Sequence, residues 1–199
     1  MNELRRSTAI HEAGHAVVSY VVGRRMMHAV LFNDQYGEIM PLCSVCDTCL
    51  AYYSDNNASN NAHSKHIQDD LRCDMAIALA GEIAQRAICG NHNIDEGDFA
   101  KDRSLAKEKA SAIHLWQDRI CWRVKYSACQ ICSDYRDLMT RAVEEMVAPQ
   151  HIKDSIQALA ELLENRRDCE RLKGSVIEEF LEKKGLMKGS GISSLPAGG

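Results

Sequence analysis

Residues 11–15 read His-Glu-Ala-Gly-His, the densest concentration of chemically active side chains in the chain. Two imidazoles four residues apart lie one above the other on a helix face, so both can reach a single ion. Zinc suits nitrogen ligands and keeps one coordination position open in catalytic sites. Glu12 projects beside the histidine pair. From there it can take a proton from water and return it to a leaving amine, while zinc acidifies the water and polarises a scissile carbonyl. The spacing therefore predicts a zinc site built on His11 and His15 with Glu12 as general base and then acid, the chemistry of a metalloendopeptidase. Such short strings also arise by chance. Here the motif lies on a segment with its own helical periodicity, and the apolar run at 16–22, AVVSYVV, would seat that helix on a core.

Two histidines leave a catalytic zinc one protein ligand short. Residues 93–99, NIDEGDF, offer Asp95, Glu96 and Asp98, with His92 beside them. Spacing alone does not choose among these, and Asp98 is equally suited to N-cap a helix beginning at Phe99.

The elements that must position these groups follow from periodicity and punctuation. A helix is predicted over 8–22, with Ser7 or Thr8 as N-cap and Gly23 as its stop. Strands are predicted at 28–32 and 38–42 around an Asn33-Asp34 turn, which implies a small sheet. The tract at 54–61, SDNNASNN, reads as an exposed loop. Helices follow at 67–88, 98–124, 133–147, from Pro149 to 165, and at 173–184. The expected fold is mainly α-helical with a small β-sheet. One domain spans 1–185, with the metal-site part at 1–125 and C-terminal helices at 126–185, and the Gly/Ser-rich stretch 186–199 is expected to be a flexible tail.

Composition narrows the function classes. With 199 residues, 45% of them hydrophobic, there is material for a true core. A net charge of −4 and a pI near 6.1 lack the footprint of a nucleic-acid partner. No stretch approaches the roughly 18 apolar residues of a membrane span, and the opening residues run into a His- and Glu-bearing segment rather than a signal-peptide core, so a cytoplasmic protein is expected.

Nine cysteines, an odd number in a chain with no visible export signal, read as reduced thiols. Cys43, Cys46 and Cys49 form a CxxCxxC run and Cys129 with Cys132 a CxxC. Four of these five thiolates could complete a second, structural metal site or serve a metal- or redox-sensing role; the plainer reading is small buried apolar residues. The lone cysteines 73, 89, 121 and 169 read as core positions on helices.

The string TAIHEAGHAVV at 8–18 resembles the start of the protease domain of FtsH-type ATP-dependent zinc metalloproteases. Residues 78–90, ALAGEIAQRAICG, are similar to that family's glycine-containing helix, and residues 97–102, GDFAKD, match the place where the family supplies an aspartate ligand at a helix start. Residues 158–164 and 172–181 resemble its closing helices, so the likeness spans most of 5–185. The resemblance implies an FtsH-like peptidase domain holding Zn2+ through His11, His15 and Asp98, with Asp95 as the fallback because the 90–98 loop is about one residue short of the family pattern. It also makes Glu38, Ile39, Met40 and Leu42 a candidate for the family's exposed strand that pairs with extended polypeptide substrate, the plainer reading being an ordinary edge strand, and it suggests a homo-oligomer. The family's ATPase module has no counterpart here, since no GxxxxGK[ST] phosphate loop is found. The chain would then act on unfolded or flexible polypeptides, alone or with a separate unfoldase. The rival expectation is a non-catalytic, zinc-containing peptide-binding or regulatory module.

Overall fold

A computed structural model of the chain describes residues 2–41, 61–90, 99–117 and 130–197. The first helix, α1 (Glu3–Val21), begins earlier than its periodicity suggests, because Asn2 caps it by accepting a hydrogen bond from the Leu4 N–H. The predicted caps are used elsewhere. Ser7 accepts from Gln85 Nε2 at 2.5 Å, and the Thr8 hydroxyl donates to the Asp34 carbonyl at 2.8 Å. The helix stops, as expected, at Gly23, whose φ of 85° is the left-handed conformation glycine tolerates.

Strands β1 (Met26–Leu31) and β2 (Gly37–Pro41) form an antiparallel hairpin with Leu31 opposite Gly37 and Ala29 opposite Ile39. Asn33 builds its turn: Oδ1 accepts from the N–H groups of Gln35 and Tyr36 at 2.8 and 2.9 Å. A short β3 (Leu172–Lys173) pairs with the other side of β1, giving the order β2-β1-β3, so that among the described residues β2 stands at an edge. Helices α2 (Asn61–Cys89), α3 (Ala100–Gln117), α4 (Gln130–Val147), α5 (Gln150–Glu164) and α6 (Gly174–Lys183) complete a mainly helical fold with a small antiparallel sheet. Among the described residues no helix is long and apolar enough to cross a membrane.

The core is organised around α1, whose residues are buried almost continuously from Ala9 to Val21. Its neighbours are α2 and α5 along its length, with the sheet beside it. Close approach of α1 to α2 depends on Gly14: a Cβ there would lie 2.5 Å from the Ala84 methyl and 2.9 Å from the Ala80 carbonyl oxygen. The fully buried Ala9, Ala13 and Ala16 keep the same helix slim.

Two expectations are corrected. The tail is not loose through residue 197. Leu186 and Leu195 are 6% and 3% exposed, and the N–H groups of Gly189 and Gly191 donate to the carbonyls of Tyr20 and Val21 at the end of α1. Arg72 also donates to the Leu195 carbonyl, and the Tyr135 hydroxyl donates to that of Pro196 at 3.2 Å. The glycines there serve close backbone approach: a Cβ on Gly191 would lie 2.6 Å from Val21 Cγ1. Cys169, in turn, is not a helical core position. It is exposed in the loop between α5 and β3, at φ 64°, where its N–H donates to Leu31.

Candidate metal centre

One turn apart on α1, His11 and His15 bring their Nε2 atoms to 3.0 Å, with the rings edge-on at 86°. Both nitrogens face the same atom, Oδ2 of Asp102 in the first turn of α3, at 2.9 Å from His11 and 3.2 Å from His15. All three donor atoms lie within 4.8 Å of one another. Two imidazole nitrogens and one carboxylate oxygen are a donor set that zinc takes in catalytic sites.

Neighbouring elements hold each donor in place. Nδ1 of His15 is 2.6 Å from the Ile77 carbonyl of α2. A carbonyl offers only lone pairs, so Nδ1 carries a proton, and Nε2 is the ring atom that would bind an ion in place of its own proton. The His11 ring stacks on fully buried Phe99, with centroids 5.6 Å apart and planes 18° apart. The guanidinium groups of Arg86 and Arg103 lie over that same phenyl ring. Both also bind Glu82, Arg86 at 2.9 Å and Arg103 at 2.7 and 2.6 Å, tying α2 to the turn of α3 that carries Asp102.

Gly81 makes room for the cluster. A Cβ there would lie 2.5 Å from His15 Nε2 and 2.6 Å from both Cε1 and Nε2 of His11. Gly37, where β2 begins, does the same for Glu12, since its Cβ would come within 2.5 Å of Glu12 Cγ and 2.9 Å of the carboxyl carbon.

The electrostatics favour positive charge between the three donors. Burial on its own would lower the His15 pKa, but its bond to Asp102, the charges of Asp102 and Glu12, and the Ile77 carbonyl raise it to about 9. Burial pushes Asp102 upward, yet the bonds from His11 and His15 and the charge of those rings hold it well below the usual carboxylate range. Glu12 is 6% exposed, and its pKa is raised by burial, opposed by the two histidines and reinforced by Asp102 and Glu38. The two nitrogens and the oxygen could hold a divalent cation, whose charge would stand in place of the proton that the His15–Asp102 pair retains.

Of the residues expected from sequence, His11, Glu12 and His15 share one groove of about 1010 Å³. Glu38 and Ile39 of edge strand β2 line its wall, Met40 lies farther along the same strand, and Leu42 is outside the described residues. His92, Asp95, Glu96 and Asp98 also lie outside them, as do Cys43, Cys46, Cys49, Cys121 and Cys129; Cys132 falls within α4, its side chain likewise undescribed. The carboxylate that meets both rings is Asp102, four residues beyond Asp98. Its legible signal was that helical interval. Gly81 was detectable only as a glycine interrupting an alanine-rich helix. No protein-family model matches the chain, and no curated protein matches it significantly in sequence.

Proposed function

We propose that the chain is a zinc-dependent metalloendopeptidase of FtsH-like type that hydrolyses unfolded or flexible polypeptides without an ATPase of its own. The observation that supports this reading is the convergence of His11, His15 and Asp102 on one point, with Glu12 buried beside them and an edge strand along the same groove. The two ring nitrogens and the Asp102 carboxylate would hold the ion. Bound zinc supplies a Lewis acid that acidifies water and polarises a carbonyl.

The remaining steps belong to the protein. An extended substrate adds as a further strand along β2, which stands at the edge of the sheet among the described residues, using main-chain hydrogen bonds that are indifferent to sequence. That mode selects unfolded segments, because only they can offer a free strand. Glu12 accepts a proton from the attacking water and delivers it to the leaving nitrogen, so that breaking the C–N bond releases an amine. Its burial suits this role, since a carboxylate with a raised pKa holds the proton well enough to return it. His15, locked to Ile77, and His11, stacked on Phe99, keep their rings from turning away during the cycle.

The test incubates casein and a quenched unfolded peptide with wild-type protein, Glu12→Gln and a chelator-treated sample. Cleavage by the wild type only is expected, with Glu12→Gln retaining one equivalent of zinc and losing on the order of 10²–10⁴-fold in rate. Cleavage that survives Glu12→Gln overturns the mechanism. Bound zinc with no cleavage in any sample points instead to a peptide-binding or regulatory module.

A further inference from the structure

The groove continues past the metal centre between α2 and α3. There it is lined by Ile77, Ala78 and Leu105, with Asp74 and Lys109 at its far end. Helical rise fixes the scale. Lys109 lies seven residues beyond Asp102 on α3, and Asp74 lies seven residues before Gly81 on α2, so each sits two turns, about 10 Å, along its helix from the metal centre.

Lys109 is unusual for a lysine in being 9% exposed. An ammonium carries three donors. Its one ion contact among the described residues is with Glu108, an exposed side chain 3.6 Å away, and no hydrogen bond takes up those donors. Asp74 lies in the fields of both Arg24, 3.7 Å away, and Lys109, and among the described residues no hydrogen bond joins it to Lys109. The ammonium at the far end of the groove thus keeps hydrogen-bond donors that a bound acceptor can take up.

We propose that Lys109 is a specificity-determining residue that binds a substrate carboxylate about 10 Å from the bond to be cut. This inference rests on the peptidase reading above. An extended chain advances about 3.3 Å per residue, so that carboxylate is either an acidic side chain one or two residues from the scissile bond or the free C-terminus about three residues away. Ile77, Ala78 and Leu105 give the intervening segment an apolar wall.

The experiment uses a quenched decapeptide in which glutamate or glutamine is placed in turn at each of the three positions on either side of the cleaved bond. Each peptide is made with a free and an amidated C-terminus. kcat/KM is measured for wild-type protein and for Lys109→Met, with zinc content and circular dichroism checking that the variant is folded. In parallel, binding of the same peptides to Glu12→Gln and to Glu12→Gln/Lys109→Met is followed by fluorescence anisotropy, which requires no turnover.

The expected result is a wild-type preference for glutamate over glutamine at one position, or for free acid over amide, of at least about tenfold, a difference worth about 1.4 kcal/mol. Lys109→Met should bring that ratio close to one in both rate and binding. A Glu/Gln effect identifies a side-chain carboxylate, and an acid/amide effect identifies the chain end. Equal wild-type rates and affinities across the whole set overturn the proposal without need of a variant, as does a preference that survives in folded Lys109→Met. If no peptide is cleaved at all, the peptidase reading fails, while the anisotropy series still decides the carboxylate site on its own.

Discussion

The Ile77 carbonyl accepts a 2.6 Å hydrogen bond from Nδ1 of His15, joining the middle of α2 to the side of α1 that carries the histidine pair. Gly81, which lies against both imidazoles, stands one helical turn beyond Ile77. One turn of α2 thus orients the ring and leaves the space it needs. Most metal-ligating histidines gain such an outer partner, and losing it typically costs 10–100-fold in affinity.

Gly81→Ala is expected to weaken zinc binding at least about tenfold, because the new methyl would sit within 2.6 Å of ring atoms that cannot retreat without breaking the Ile77 or Phe99 contacts. Competitive titration with a chromophoric chelator measures the change. Unaltered affinity would mean that the two rings have room the distances deny.

Asp102→Asn keeps the shape of the third ligand but removes its charge, and it should lower zinc affinity by more than tenfold while the helical signal in circular dichroism persists. Asp98→Asn, run alongside, addresses the position that the family resemblance implies. A larger loss at Asp98 than at Asp102 would return the ligand role to that position.

The Glu82 ion pairs carry a pH signature. Burial pushes its pKa up, but the bonds and charges of Arg103 and Arg86 outweigh that and hold it below the ordinary value of 4.5. A carboxylate whose folded pKa is depressed contributes stability above its unfolded pKa and loses it as pH falls through the folded one. Glu82→Gln should therefore cost about 1 kcal/mol or less at pH 7, the modest figure for partly exposed pairs, and the difference from wild type should shrink as the pH falls below 4.5 and through the depressed folded pKa. Urea unfolding across that range measures it; a constant difference would show that the cost is not electrostatic.

Leu195→Ala tests whether the C-terminal strap belongs to the core. Its side chain is 3% exposed and its carbonyl is bound by Arg72, so truncation should destabilise by about 2 kcal/mol, the lower end for a buried leucine. Thermal or urea denaturation reads the effect. An unchanged midpoint would show that the strap contributes nothing to global stability.

What the sequence determined by itself was local. His11 and His15 meet because residues four apart on any α-helix share a face, and Glu12 falls beside them for the same reason. The β1–β2 hairpin was legible in Asn33 and the flanking apolar runs, since an Asx turn is built from its own neighbours. Tertiary packing decided the rest. Asp98 and Asp102 occupy similar faces of one predicted helix, and only the seating of α3 against α2, through Phe99 and the Glu82 pairs, raises Asp102 to both rings. The same is true of Ile77, Gly81 and Lys109, whose roles depend on which residue of another helix lies opposite. The tail shows the limit in the other direction: glycine and serine predict freedom when only the chain itself is considered, but against the end of α1 the missing side chains allow the backbone to dock.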